Sequence, residues 1–197
     1  MARISRHYSD NHLIDSTFET RVAIYEDQIR GWFHDQARIL EKNSDHAGFV
    51  LLLVSLTYVE GHAIFLRGED SKRKSPEFFR KGFKEVFKPQ GPSKSIIDRA
   101  VNALYEEVRC GLFHTGMTKG KVILGRYEES VRIELNSTGQ AVSFIQIDPH
   151  KMLDQIEAHL SSYVTRLRNP KENELRNNFD SAWRLRFGQQ DDPERHP

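Results

Sequence analysis

From Ala47 to Arg67 apolar side chains occupy nearly every face of a helix, and no charged residue interrupts the stretch from Ala47 to Val59. A helix that is apolar all round has to be surrounded, by other elements of the fold or by lipid. The uncharged run stops at Glu60, short of the ~18–20 residues that span a bilayer. The segment therefore predicts the central core helix of a bundle, with Glu60 and His62 as its polar exceptions. The rest of the chain has to wrap it. With 197 residues, 38% hydrophobic and 29% charged, and a mean hydropathy of −0.63, the composition excludes a collagen-like chain, a wholly disordered one and a membrane protein. A chain of this size buries roughly 70% of its unfolded surface, so it needs no metal or disulfide to fold. Cys110 is the one cysteine, and no signal-peptide pattern opens the chain. Both features point to the cytoplasm.

The flanking segments alternate between helical periodicity and punctuation. Met1 to Asp15 is polar and unpatterned, and is expected to be partly disordered. A helical stripe follows through Phe18, Val22, Tyr25, Ile29, Trp32 or Phe33, and Ile39 or Leu40, with Gln36 as its polar gap. Ser75-Pro76-Glu77 has the form of a helix start, with Ser75 as the cap. Phe78, Phe79, Phe83, Val86 and Phe87 make an aromatic helix that Pro89-Gln90-Gly91-Pro92 breaks. A fourth helix runs from Ser93 or Ser95 on the stripe Ile97, Val101, Leu104, Tyr105, Val108 and Leu112, loosening around Gly111 to Gly116. The period then changes. Lys121–Leu124, Val131–Leu135 and Ala141–Ile147 read as short strands, with a turn at Asn136–Gly139. Asp148-Pro149 starts the next helix, and Leu175, Phe179, Trp183 and Phe187 share one face of the last. The expected fold is mainly α: one domain over residues 1–187, a helical bundle with a small antiparallel sheet inserted at about 121–147, before the C-terminal helices. A polar tail, 188–197, is expected to be disordered. Roughly 30 residues of hairpin cannot bury a core of their own.

The net charge of +1 conceals a basic cluster: Lys72, Arg73, Lys74, Arg80, Lys81 and Lys84, continued by Lys88 and Lys94 and opposed by Glu77 and Glu85. Such a run can neutralise phosphates and is a candidate RNA-binding surface; a solvated helix face accounts for it equally simply. Trp183 with Arg184 and Arg186 could stack on single-stranded RNA, but its register with Leu175 and Phe179 favours the core. The nine histidines have no metal-ligand spacing, and no motif for a cofactor is present, so neither is expected. Gly116-Met-Thr-Lys-Gly120-Lys121 has one residue too few for a phosphate loop, and Val122 stands where a magnesium-binding hydroxyl would be.

One segment carries chemistry: Leu104-Tyr-Glu-Glu-Val-Arg109-Cys-Gly-Leu-Phe-His114, an Arg-x4-His pattern near the end of a helix. The stretch resembles the HEPN superfamily, whose helical bundles carry Arg-x4–6-His in that place. Leu104-Tyr105 ahead of the arginine, Arg109-Cys110-Gly111-Leu112 leading to His114, the earlier helix with Glu60 and the Phe-rich helix after it all fit the layout. The resemblance covers roughly Thr17 to Gly116 and the helix after the strands. It implies a homodimer and, for many members, a metal-independent endoribonuclease of a prokaryotic defence or toxin–antitoxin system with an antitoxin protein as partner. Other members are non-catalytic binders of RNA, nucleotide or protein. Carried over by position, Arg109 and His114 are the catalytic pair, with Cys110 and Glu60 in support. Active members usually have a polar residue after the arginine, so Cys110 is a departure.

The residue chemistry agrees with the resemblance. Metal-free RNA cleavage needs a base for the ribose 2′-hydroxyl, which a neutral imidazole supplies near pH 7. It also needs a fixed cation at the phosphate, where guanidinium offers permanent charge and forked donors. In an ideal helix, however, residues five apart point about 140° away from each other. The pair can share a site if the helix unwinds at Gly111, or if two copies meet across a two-fold axis near Val108 to His114. A purely structural arrangement fits the same residues: an ion pair of Arg109 with Glu60 or Glu106, and His114 merely ending the helix. Glu60 in so apolar a helix needs a cationic partner in any case.

Overall fold

The computed structural model describes residues 2–14, 16–118 and 120–188. Its helices are α1 (Phe18–Ile29), α2 (Asp35–Asn43), α3 (Gly48–Arg67), α4 (Ser75–Phe87), α5 (Lys94–Ala103), α6 (Cys110–Thr115), α7 (Pro149–Arg168) and α8 (Asn173–Phe187). The strands are β1 (Val122–Leu124), β2 (Val131–Leu135) and β3 (Val142–Ile147). The fold is thus mainly α with one small sheet, as the sequence pattern predicts.

Helix α3 lies at the centre, packed by α2, α4, α7 and α8. Leu51, Leu52, Val59 and Ala63 have no exposed surface. The helix continues past Glu60 to Arg67, so by length and composition it is long and apolar enough to cross a membrane, which corrects the expectation from the uncharged run alone. Its burial by four neighbours is compatible with a soluble protein. The α3–α4 crossing is close: a Cβ on Gly82 would lie 2.1 Å from the Val59 carbonyl oxygen. Ser75 begins α4 without capping it by a side-chain hydrogen bond; its hydroxyl is turned toward α3 instead.

Two π-helical turns depart from the predicted stripes. Between α1 and α2, Arg30–His34 forms one, with the Asp35 N–H bonding the Arg30 carbonyl five residues back. The extra residue rotates everything after it. Neither Trp32 nor Phe33, one of which the stripe places inside, is buried: they are 47% and 37% exposed, while His34 and Ala37 are buried; of Ile39 and Leu40, Leu40 packs against the core. Between α5 and α6, Leu104–Arg109 forms the second π segment, closed by the Cys110 N–H on the Tyr105 carbonyl. The helix therefore loosens before Arg109 rather than at Gly111.

The sheet is mixed, not antiparallel throughout. β3 is central, pairing parallel with β1 (Val122 opposite Ile145) and antiparallel with β2 (Ile133 opposite Ile145). The β2–β3 turn is the predicted one, with Gly139 at φ +69° and the Asn136 side-chain oxygen accepting from the backbone N–H groups of Gln140 and Ala141. Ile145 and Ile147 are fully buried and belong to the same hydrophobic core as the helices. Residues 2–14, unpatterned in sequence, contact α1. Asp27 on α1 accepts from the Ser5 hydroxyl (2.5 Å) and the His7 N–H (2.7 Å), and Ser5 is buried. The predicted disordered tail begins at Gly188, which ends α8; 189–197 lie outside the described residues.

Candidate functional site

Arg109 is the last residue of the second π segment, and its side chain turns toward α3. Nη2 and Nε donate to Glu60 Oε2 at 3.1 and 3.3 Å. The other carboxylate oxygen, Oε1, accepts from the Ser75 hydroxyl at 2.6 Å, and Ser75 in turn accepts from the Tyr105 hydroxyl at 3.3 Å. Four residues from α3, α4 and the π segment thus form one hydrogen-bonded chain. The guanidinium carbon lies 4.7 Å from the Phe113 ring centre and 5.7 Å from that of Tyr105, one turn to either side. With side chains 23% and 18% exposed, Arg109 and Glu60 sit at the rim of the core. The expected cationic partner of Glu60 is therefore Arg109. The Ser75 hydroxyl, which the sequence pattern assigns to capping, serves this carboxylate.

His114 lies elsewhere on the helix. Cys110–Thr115 is regular α-helix ending in a left-handed Gly116 (φ +69°), so no unwinding intervenes between Arg109 and His114. The two side chains point about 140° apart on such a helix. His114 is exposed and makes no hydrogen bond among the described residues. Gly111 serves a different purpose. A Cβ there would lie 2.4 Å from the Met117 carbonyl oxygen, so the glycine lets the chain fold back after α6. Cys110 is a half-buried free thiol. Around His114, Phe113 and Met117 are 48% and 65% exposed, whereas Val108 is fully buried. Any surface formed by this end of the helix uses Phe113, His114 and Met117, and Val108 is excluded from it.

The basic cluster is partly neutralised. Lys84 pairs with Asp98, Lys74 with Glu69 at 3.7 Å, and Arg80 donates to Asn102 at 2.9 Å. Lys72, Arg73 and Lys81 are exposed and have no ion pair among the described residues. Arg73 adopts a left-handed backbone, φ +63°. Lys72, Arg73 and Lys74 lead directly into Ser75. Trp183 is in the core, 4% exposed, stacked on Phe179 and tilted against Phe187.

Comparison with known proteins adds no relative. No protein-family model, curated protein or solved structure matches this chain.

A second constellation was not legible in the sequence beyond His62 itself. Tyr58 and His62 of α3 and His159 and Tyr163 of α7 pack ring against ring, with the Tyr58 hydroxyl 2.8 Å from His159 Nδ1. His34 from the first π turn joins at Tyr58. Burial holds His34, His62 and His159 below the ordinary imidazole range, His34 down to about 4. The i, i+4 spacings Tyr58–His62 and His159–Tyr163 were the available signal. They gain meaning only once α3 and α7 are known to face each other.

Proposed function

We propose that the chain is a HEPN-like, metal-independent endoribonuclease that cleaves RNA through the ribose 2′-hydroxyl, of the kind found in prokaryotic defence and toxin–antitoxin systems. The observation that carries the reading is the Arg109 guanidinium, fixed on one edge by Glu60 and set between two aromatic rings at the surface end of the bundle, five residues from an exposed imidazole. A guanidinium held in this way keeps its charge and its remaining donors aimed, which is what a phosphorane-like transition state needs. Because Arg109 and His114 diverge on a regular helix, the reading requires two copies. His114 of one copy would act at the phosphate held by Arg109 of the other, across an axis lined by Phe113 and Met117. Lys72, Arg73 and Lys81 would track the RNA backbone.

A second reading, a non-catalytic HEPN-like module that binds RNA, nucleotide or a protein partner, is favoured by the same ion pair seen otherwise. Two of the guanidinium's donor groups are already used by Glu60, and Cys110 stands where active members carry a polar residue. Incubation of the protein with structured RNA separates the two. Cleavage should leave 2′,3′-cyclic phosphate and 5′-hydroxyl ends, persist in EDTA, and fall about 10²–10⁴-fold in His114→Ala with RNA binding retained. Binding without such ends transfers the assignment to the module.

A further inference from the structure

A cleft of about 370 Å³ opens between the first π turn, α3 and the end of α8, remote in sequence from Arg109 and independent of the reading above. Its size falls within the range of small-molecule sites, and its walls have their composition, mostly aromatic with a few polar groups. Tyr25, Trp32, Phe33, Tyr58, Phe65 and Phe187 supply its aromatic lining. Trp32 and Phe33 stand out here only because the π turn rotates them from the core, and π turns of this kind recur at functional sites.

Three observations go beyond an apolar groove. His62 is among the lining residues with 1% exposure, and its Nδ1 is buried without a hydrogen-bond partner among the described residues. An unpaired buried nitrogen is costly and asks for a partner that the protein does not supply. Arg186 stands at the rim and is the one charged residue of the lining. It makes no ion pair among the described residues. Finally, Gly61, in the middle of α3, is part of the lining. A Cβ there would meet nothing within 4 Å. Glycine is among the least favourable residues inside a helix, and at Gly61 no neighbouring atom requires it, in contrast to Gly82. What it preserves is empty space.

We infer that this cleft binds a planar aromatic acid, its ring system between Trp32 and Phe187 over Gly61, a polar ring edge toward His62 and its carboxylate on Arg186. An aromatic ring matches the aromatic lining, and a single guanidinium with no carboxylate partner among the described residues selects an anion. Burial keeps His62 neutral, so the wall it forms carries no charge to compete with Arg186.

The test uses 2-naphthoate and its neutral analogue 2-naphthamide, titrated calorimetrically into the full chain. The acid should bind one per chain with a micromolar-to-millimolar Kd, and at least tenfold more tightly than the amide. Gly61→Leu, which fills the cleft and favours the helix, should fold with an unchanged circular dichroism spectrum and lose binding at least tenfold. Trp32→Ala should weaken both probes, and Arg186→Ala should weaken only the acid. Several results would overturn the inference: no binding at millimolar concentration, equal affinity for acid and amide, undiminished binding in folded Gly61→Leu, or a homodimer that shields Trp32 from quenchers.

Discussion

At the level of single residues, the Arg109–Glu60 contact joins the proposed chemistry of this protein to its stability. Whatever it does to a phosphate, it ties π segment to core helix. Arg109→Ala leaves a half-buried carboxylate with only the Ser75 hydroxyl, and Glu60→Ala leaves the guanidinium without its acceptor. Each should destabilise the fold by about 1–3 kcal/mol. The double variant should lose less than the sum, measured by urea unfolding in a double-mutant cycle. Activity lost in Arg109→Ala is therefore read only after stability has been matched. His34 supplies a prediction of opposite character. Burial, and secondarily the nearby Arg30, push its pKa down to about 4, so between about pH 4 and 6.5 the unfolded chain binds the proton that the folded chain refuses. Its contribution is fully present above pH 6.5 and is lost as pH falls through that window. The slope is up to about 1.4 kcal/mol per pH unit for each such histidine, and His62 and His159 act in the same direction. Urea midpoints at pH 7.5, 5.5 and 4.5 should fall steeply in the wild type and less so in His34→Phe. Identical slopes would remove His34 as a cause.

At the level of elements, two glycines in neighbouring helices make opposite predictions from the same chemistry. Gly82 on α4 faces the α3 backbone, and a methyl group there would overlap the Val59 carbonyl oxygen. Gly82→Ala should force the helices apart and cost about 1–3 kcal/mol or more. Gly61 on α3 faces open space, so Gly61→Ala should stabilise the protein by about 0.5–1 kcal/mol through helix propensity alone. Thermal unfolding of the two variants checks both signs. The π turns belong to this scale as well. A stripe read at 3.6 residues per turn places Trp32 or Phe33 inside, because periodicity assumes an unbroken helix. One inserted residue at Arg30–His34 exchanges them for His34 and Ala37, and it opens the aromatic cleft.

Over the whole molecule, the sheet shares the helical core. Ile147, fully buried between strands and helices, should destabilise the entire chain when cut to alanine, by about 2–5 kcal/mol. Far-ultraviolet circular dichroism and the fluorescence of buried Trp183 should report the same midpoint in wild type and Ile147→Ala. A sheet melting ahead of the helices would separate the two signals. The proposed dimer is tested by light scattering: a two-fold assembly through Phe113 and Met117 should dissociate in Phe113→Glu, while a monomeric wild type at micromolar concentration would remove the shared-site mechanism.

What local sequence determined here is what local physics governs. The position of α3, the Asn136–Gly139 turn, the Asp148-Pro149 helix start and the three strands follow from apolar period, capping side chains and the backbone freedom of glycine, all acting within a few residues. The demand of Glu60 for a cation was equally legible, since a carboxylate in an apolar helix has few other outcomes. Which carboxylate Arg109 meets, Glu60 rather than the nearer Glu106, depends on how α3, α4 and the π segment close around each other. The antiparallel sheet expected from the sequence is mixed for the same reason: alternation marks a strand but not its neighbour, and β1 reaches β3 in parallel only through the tertiary path. The N-terminal residues had no period to read and are ordered by Asp27, a partner on another element. The histidine–tyrosine cluster and the cleft above it arise where α3, α7, α8 and a π turn converge, and no single stretch of sequence contains more than part of them.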